Sequence, residues 1–309
     1  MTSLKSQLLY FAMKNRHLFK FKLKPEAWDF NTSIPAFRQL CEESNAKLAN
    51  QMPAGVTVTP TQIGKMYAEW LTPDGADKSK IILYTVGGGY VSGTCSDHRQ
   101  FVSKVAARSG FTILTFNHRL APEDPYPAAL NDALEAYQWL LDQGFMPENI
   151  LIMGESAGGG LCLATLLAIR DKGMPQPVAG VAISPWTDLK LTGESYRTKA
   201  DVCISPPGMS AVCSKYYYGD NDPTDPWISP LYGDLHGLPP LYINVGSYEG
   251  MLDDSTRFAA KAKAAGVDVT LTVGEKMIHC YPLLAPMFPE ATQEMDAICG
   301  FIRKRLGNR

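Results

Sequence analysis

Apolar positions in this sequence of 309 residues follow two periods. Short apolar runs, typical of buried strands, alternate with longer segments whose apolar residues recur at helical spacing. The alternating residues 56–59 and the run 66–71 predict two strands, joined by a short turn. Further strands are predicted at 81–86, 111–116, 149–153, 178–184, 241–245 and 267–273. Helices are predicted at 97–109, 128–141, beyond 160, at 253–265 and at 289–306, with a possible helix in the Pro-rich stretch 200–238.

This alternation of strands and helices predicts an α/β fold with a mostly parallel sheet that helices cover on both faces. The first two strands predict an antiparallel start. In such sheets, active residues gather at the carboxyl ends of the strands. Gly87–Gly89, Ser156 and the segment after Val245 all follow strands directly.

Residues 1–24 carry six Lys or Arg and no acidic residue, so the other 285 carry a formal charge of −8. Leu4, Leu8 and Phe11 are interspersed among these charges. The pattern favours a helix that packs an apolar stripe on the domain, over a membrane-surface helix or a targeting peptide. Residues 25–50 are also predicted to be helical, with Thr32 or Ser33 as the cap of a helix entering at Pro35.

The overall composition, with 45% apolar and 19% charged residues, is that of an ordinary globular protein. The net charge of −2 gives no indication of a nucleic-acid partner. Seven cysteines without a C-x-x-C pair argue against a disulfide framework and predict a reducing, cytoplasmic location. The sequence also lacks an apolar run of membrane-spanning length and a signal-peptide pattern.

The candidate chemistry centres on Gly154-Glu155-Ser156-Ala157-Gly158, which joins a predicted buried strand to an Ala- and Leu-rich helix. In a nucleophile elbow of this kind, the strand turns sharply into the helix and exposes the serine hydroxyl at the tip. The pattern Gly-x-Ser-x-Gly is weak by itself, but the flanking strand and helix supply the context that it requires. Ser156 is therefore the predicted nucleophile.

A serine needs a base to take its proton, and the base needs an acid to orient it. Of five histidines, His279 alone combines a position after the last predicted strand with a place beyond the serine in chain order. Glu249 lies nearest the end of the strand 241–245 and is the predicted acid. Asp253 is the alternative, although its position at a helix start also suits capping. The order Ser, Glu, His is that of α/β-hydrolases.

Acyl transfer also requires donors for the oxyanion. The backbone N–H groups of Gly88, Gly89 and Ala157 are the predicted donors. A phosphate-binding loop is the alternative for the glycines, but no Gly-Lys-Ser/Thr and no G-x-G-x-x-G spacing follows.

From about residue 55 onward the sequence resembles the hormone-sensitive-lipase-like (microbial family IV) carboxylesterases of the α/β-hydrolase superfamily. The shared motifs are Gly87-Gly88-Gly89-Tyr90, Arg119-Leu120-Ala121-Pro122-Glu123 with Pro127-Ala128-Ala129-Leu130, Gly154-Glu155-Ser156-Ala157-Gly158-Gly159, Ser184-Pro185-Trp186, Leu238-Pro239-Pro240 and Ile278-His279. Together they are highly specific.

The resemblance implies an eight-stranded, mostly parallel sheet, with a catalytic domain over residues 51–309 and a helical cap from residues 1–50 and 200–220. It implies hydrolysis of small short- to medium-chain esters by Ser156, His279 and Glu249 without cofactor or metal, and many members form dimers. Two positions depart from the family pattern. Val86 stands where a histidine usually precedes the glycines, so either another group holds Gly88 and Gly89 or the oxyanion hole is looser. His118 stands where tyrosine is more common.

Two rival functions fit the same motifs. A non-catalytic small-molecule receptor on this fold would keep the serine and lose the base, which the presence of His279 argues against. An amidase or peptidase would use the same triad, because the shape of the pocket sets the choice of leaving group.

Overall fold

A computed structural model describes residues 2–15, 17–18, 26–46 and 52–307. The helices are α1 (Leu4–Lys14), α2 (Ile34–Ala46), α3 (Cys95–Ser109), α4 (Ala128–Asp142), α5 (Ala157–Asp171), α6 (Ser195–Thr198), α7 (Met209–Tyr218), α8 (Leu252–Ala264) and α9 (Pro289–Gly307). The strands are β1 (Val56–Ile63), β2 (Met66–Pro73), β3 (Ile81–Thr85), β4 (Thr112–Phe116), β5 (Ile150–Glu155), β6 (Ala179–Ile183), β7 (Leu241–Gly246) and β8 (Val269–Gly274).

The eight strands form one sheet in the order β1-β2-β4-β3-β5-β6-β7-β8. Strand β2 is antiparallel to both β1 and β4, and all the other neighbours are parallel. The antiparallel start is a hairpin whose register closes at the pair Ile63 and Met66. The predicted α/β class and the mostly parallel, eight-stranded sheet are therefore confirmed.

Helices cover both faces of the sheet and divide its apolar side chains between two cores. On β5, Ile150 and Ile152 join the core beneath α4, α5 and α8, whereas Leu151 and Met153 join the core beneath α3 and α9. Because successive side chains of a strand point to opposite faces, a strand buried on both sides is apolar at most positions, and a buried polar side chain such as Glu155 needs partners. This explains the continuous apolar runs in the sequence and fixes β5 at the centre of the sheet.

The N-terminal helices and the 200–218 region lie over the carboxyl ends of the strands and contact each other. The backbone N–H of Trp28 donates to the carbonyl of Pro207 at 2.7 Å, and Lys14 Nζ donates to the carbonyl of Cys203 at 3.0 Å. Helix α2 begins with Ser33, whose Oγ accepts from the N–H of Ala36 at 3.3 Å, so Ser33 rather than Thr32 is its cap.

Helix α1 packs Leu9, Tyr10 and Met13 against the core, as the favoured interpretation of the basic segment expected. Leu4 and Leu8 are exposed, so only part of the apolar stripe is covered. The predicted helical character of residues 16, 19–25 and 47–51 lies outside the described residues. Within the part of the chain that is described, no helix combines the length and apolar character needed to cross a bilayer.

Candidate active site

The sharp turn between β5 and α5 carries Ser156 with φ 57° and ψ −124°, a conformation that L-residues rarely adopt. Its N–H donates to the carbonyl of Ile183 at 2.8 Å, and its own carbonyl accepts from Trp186 N–H at 3.0 Å. A Cβ at Gly158 would lie 2.2 Å from the carbonyl oxygen of Thr85. Only glycine therefore lets α5 approach β3 closely enough to hold this turn.

The imidazole of His279 reaches Ser156 from a loop that follows β8. His279 Nε2 lies 2.9 Å from Ser156 Oγ, and His279 Nδ1 lies 2.5 Å from Glu249 Oε2. The next residue, Cys280, takes a left-handed conformation and donates its N–H to Ser184 Oγ at 3.1 Å. This turn directs the histidine back over the sheet edge.

Glu249 follows β7 and is only 1% exposed. Its Oε1 accepts from the N–H of Gly246 at 2.5 Å and from Ser184 Oγ at 2.9 Å, which leaves Oε2 for the imidazole. Asp253, the alternative acid, instead accepts from the N–H of Ser195 at 2.8 Å through its Oδ2. The geometry thus brings Ser156, His279 and Glu249 together and engages Asp253 at the start of α6.

The glycine loop after β3 lies beside the elbow, and Gly87, Gly88 and Gly89 line the same cavity as Ser156. Gly88 has φ 121°, and a Cβ there would lie 2.2 Å from the carbonyl oxygen of Ser92. Ala157 is the first residue of α5, where helix geometry leaves the N–H groups without intrahelical acceptors. These positions are compatible with the predicted oxyanion donors.

Two side chains that the sequence did not single out support this loop. Glu155 Oε1 accepts from the N–H of Gly87 at 2.6 Å and from His98 Nε2 at 2.9 Å. Val86 is fully buried, and its carbonyl lies 3.5 Å from His118 Nε2. Glu155 was visible as an acidic residue at the end of a buried strand, a costly place for a carboxylate unless it has partners. His98 carried no local signal, because its ring reaches Glu155 only in the folded chain.

Comparison with known proteins places this constellation in a family. Residues 82–283 match the family described as the α/β hydrolase fold. An acetyl-hydrolase of Streptomyces hygroscopicus is 38% identical over 258 residues, which cover 83% of this chain and 85% of that protein. An esterase of Acinetobacter venetianus is 35% identical over 273 residues, which cover 88% of each.

Solved structures agree with this assignment. A crystal structure of EstE5, soaked with p-nitrophenyl butyrate, matches with a TM-score of 0.90 and 37% identity, over 99% of this chain and 100% of that one. A hormone-sensitive lipase from a metagenome library matches with a TM-score of 0.91 and 34% identity over the same shares. The chain belongs to the α/β-hydrolase family, in its hormone-sensitive-lipase-like branch.

The cavity above Ser156 in this α/β-hydrolase has a volume of about 300 Å³. Its walls are mostly apolar and include Phe101 from α3, Met209 from α7 and Leu284. Such a cavity suits the acyl or alcohol part of a small ester. Among the described residues, no group of three or more His, Cys, Asp or Glu side chains could hold a metal ion.

Burial and the neighbouring carboxylate shift the pKa of the His279 imidazole in opposite directions. Desolvation by itself would lower the pKa of His279, but the Glu249 carboxylate, 2.5 Å from Nδ1, acts in the opposite direction and raises the pKa above its ordinary value. Burial raises the pKa of the Cys280 thiol, so this thiol stays protonated at neutral pH. The site therefore stabilises the imidazolium that proton transfer from Ser156 would create.

Proposed function

We propose that this α/β-hydrolase is a carboxylesterase that cleaves short- to medium-chain acyl esters through an acyl-enzyme on Ser156. The observation that carries the proposal is the contact of 2.9 Å between Ser156 Oγ and His279 Nε2, with Glu249 bound to the other ring nitrogen. Relatives named esterase and acetyl-hydrolase support the same chemistry. The substrate is a small-molecule ester.

In the first step, Ser156 Oγ attacks the ester carbonyl carbon while its proton passes to His279 Nε2. Glu249 holds the imidazolium, and the N–H groups of Gly88, Gly89 and Ala157 stabilise the oxyanion. The ester C–O bond then breaks, and the alcohol leaves with the proton from the imidazolium. In the second step, a water molecule gives a proton to His279 and attacks the acyl carbon. The bond between the acyl carbon and Ser156 Oγ then breaks, the imidazolium returns its proton to Oγ, and the carboxylic acid leaves.

The proposal assigns residues 1–50 and 200–220 to a cap over a catalytic domain of residues 51–309. Met13 from α1 and Met209 from α7 both line the cavity above Ser156, which supports a cap built from the two segments. The short acyl preference follows from the cavity volume of about 300 Å³. The butyrate ester soaked into EstE5 crystals is of this size class.

The decisive test is Ser156→Ala assayed with p-nitrophenyl acetate and butyrate. We expect turnover to fall to background while the thermal unfolding midpoint stays near that of the wild type. Undiminished hydrolysis by this variant would exclude the proposed nucleophile. Labelling of the wild type, but not of Ser156→Ala, by a fluorophosphonate would exclude a non-catalytic receptor. Faster turnover of matched amides than of esters would indicate an amidase.

Assembly and location are further parts of the proposal. Strand β8 lies at the edge of the sheet, where unpaired backbone groups can join a second copy and form a homodimer. Light scattering over a concentration series measures this association. All seven cysteines are free thiols, which supports a reducing compartment such as the cytoplasm.

A further inference from the structure

We propose that Glu155 and His98 form an ion pair in which Glu155 positions the oxyanion loop and the His98 imidazolium neutralises the Glu155 carboxylate. Both are positioning residues, and the inference rests on the proposed function, because an oxyanion loop matters only to an acyl-transfer enzyme. The pair occupies the role left open by Val86, whose side chain cannot hydrogen-bond.

The first observation is that the loop and the elbow meet at Glu155. Its Oε1 accepts from the N–H of Gly87 at 2.6 Å, so the carboxylate fixes the residue that precedes Gly88 and Gly89. A Cβ at Gly87 would lie 2.8 Å from Glu155 Oε1 and 3.2 Å from the Cβ of Ser156. The nucleophile and the loop are thus packed on each other with Glu155 at the junction.

The second observation is that both ring nitrogens of His98 face acceptors. His98 Nε2 lies 2.9 Å from Glu155 Oε1, and Nδ1 lies 3.1 Å from the carbonyl of Thr94. Both contacts are hydrogen bonds only if both nitrogens carry protons, which makes the ring a cation. His118 differs because its ring nitrogens lie near the backbone carbonyls of Arg119 and Val86, and burial lowers its pKa.

The charge of this pair bears directly on the chemistry. Glu155 is adjacent in sequence to Ser156 and is almost completely buried, so an unpaired carboxylate there would oppose the negative charge of the oxyanion. The imidazolium of His98 offsets that charge. The Tyr84 hydroxyl lies beside the same carboxylate. Burial, and to a smaller extent the Glu155 carboxylate, raise the pKa of Tyr84, so the tyrosine stays neutral and adds no second negative charge.

A double-mutant cycle with p-nitrophenyl butyrate tests the pair. We expect His98→Ala to lower kcat by about 10- to 100-fold with KM nearly unchanged, because an oxyanion loop acts in the transition state, and loss of one whole donor costs about 10²–10³. Glu155→Gln keeps an oxygen for the Gly87 N–H and removes the charge, so we expect a smaller loss. Removing the carboxylate should also rescue His98→Ala, so that the double variant is about tenfold faster than His98→Ala alone.

The control is His236→Ala, which breaks a histidine–carboxylate pair with Asp234 that is exposed to solvent. It should leave kcat unchanged. If His98→Ala does not fold, His98→Gln replaces it in the same cycle. A double variant no faster than the single His98 variant, or a His98 variant with the wild-type kcat, would overturn the ion-pair role. Activity retained by Ser156→Ala would instead overturn the proposed function.

A separate observation concerns the outward face of α1. Leu4, Leu8 and Phe11 are 71%, 60% and 64% exposed and lie at spacings of four and three residues, so they form one apolar stripe. Leu9, Tyr10 and Met13 pack against the protein on the opposite side. We infer that the outward stripe docks α1 on an anionic lipid–water interface.

Charge and position point to this occupant. Within the described helix α1 the charged residues are Lys5 and Lys14, with no acidic residue, whereas residues 25–309 carry a formal −8, so an anionic surface attracts α1 more than the rest of the chain. Lys5 lies beside the apolar stripe by helix geometry, and Lys14, on the other side of the stripe, extends its Nζ to the carbonyl of Cys203. Because Met13 of the same helix lines the catalytic cavity, docking would place that cavity next to ester lipids.

Vesicle sedimentation tests the stripe, with phosphatidylcholine alone compared with phosphatidylcholine mixed with phosphatidylglycerol. We expect binding only to the anionic vesicles, weakened by salt, and reduced at least about tenfold in the double variant Leu8→Gln/Phe11→Gln. Met146→Gln, at another exposed apolar residue, is the control and should bind like the wild type. Equal binding by all three proteins would overturn the inference. So would a wild-type dimer that the double variant dissociates, because the stripe would then be a subunit interface.

Discussion

Replacing Glu249 with glutamine removes one negative charge from the site and keeps the size of the side chain. The carboxylate now makes three contacts: Oε1 accepts from Gly246 N–H and Ser184 Oγ, and Oε2 faces His279 Nδ1. An amide cannot reproduce this arrangement, because one of its two ends is a donor. Each of its two orientations therefore has an identifiable cost.

If the amide nitrogen faces His279 Nδ1, the amide donates and Nδ1 must be the acceptor. Nε2 then carries the ring proton and cannot take one from Ser156. If the amide oxygen faces Nδ1, the amide nitrogen meets the N–H of Gly246, and a buried donor is left unpaired at about 1–3 kcal/mol. Both orientations also lose the charge that stabilises the imidazolium. We expect kcat to fall by about 10³–10⁴, the scale known for such a change in serine proteases, which corresponds to about 4–5.5 kcal/mol.

Steady-state hydrolysis of p-nitrophenyl butyrate across a pH series measures this effect. The ascending limb of kcat/KM should also move to lower pH in Glu249→Gln, because the carboxylate is one of the groups that raise the pKa of His279. Asp253→Asn is the matched control, since Asp253 binds the N–H of Ser195 and not the imidazole. Near-normal kcat in Glu249→Gln, together with a large loss in Asp253→Asn, would refute the assignment of the acid.

Three further predictions follow from the same structure. The wild-type kcat/KM should still be rising with pH above 6.5, because His279 must be neutral to accept a proton and the Glu249 carboxylate raises its pKa; a profile that is already flat at pH 6.5 would contradict this. Met209→Trp should narrow the cavity and reduce kcat/KM more for hexanoate than for acetate esters, and an unchanged ratio would place the acyl chain elsewhere. Ile152→Ala should lower the free energy of unfolding in urea by about 2–5 kcal/mol, because Ile152 is fully buried in β5, whereas Met146→Ala at an exposed site should change it little.

The sequence predicted most of the fold because local patterns record which faces are buried. Continuous apolar runs at β3 and β5 indicated buried strands, and the structure confirms them. The glycines of the elbow likewise record a local need, since a side chain at Gly158 would collide with β3. Positions at strand ends, taken in chain order, predicted one site that contains Ser156, His279 and either Glu249 or Asp253.

Only the tertiary structure distinguished Glu249 from Asp253, since the two residues lie four positions apart and differ in which partner each reaches. It also revealed the pair of Glu155 and His98, and it showed that Leu4, Leu8 and Phe11 stay exposed. Periodicity reports whether a residue faces the interior, which is a property of its own element. Whether an imidazole meets a hydroxyl 123 positions away depends on how strands and loops pack, and no local pattern encodes that distance.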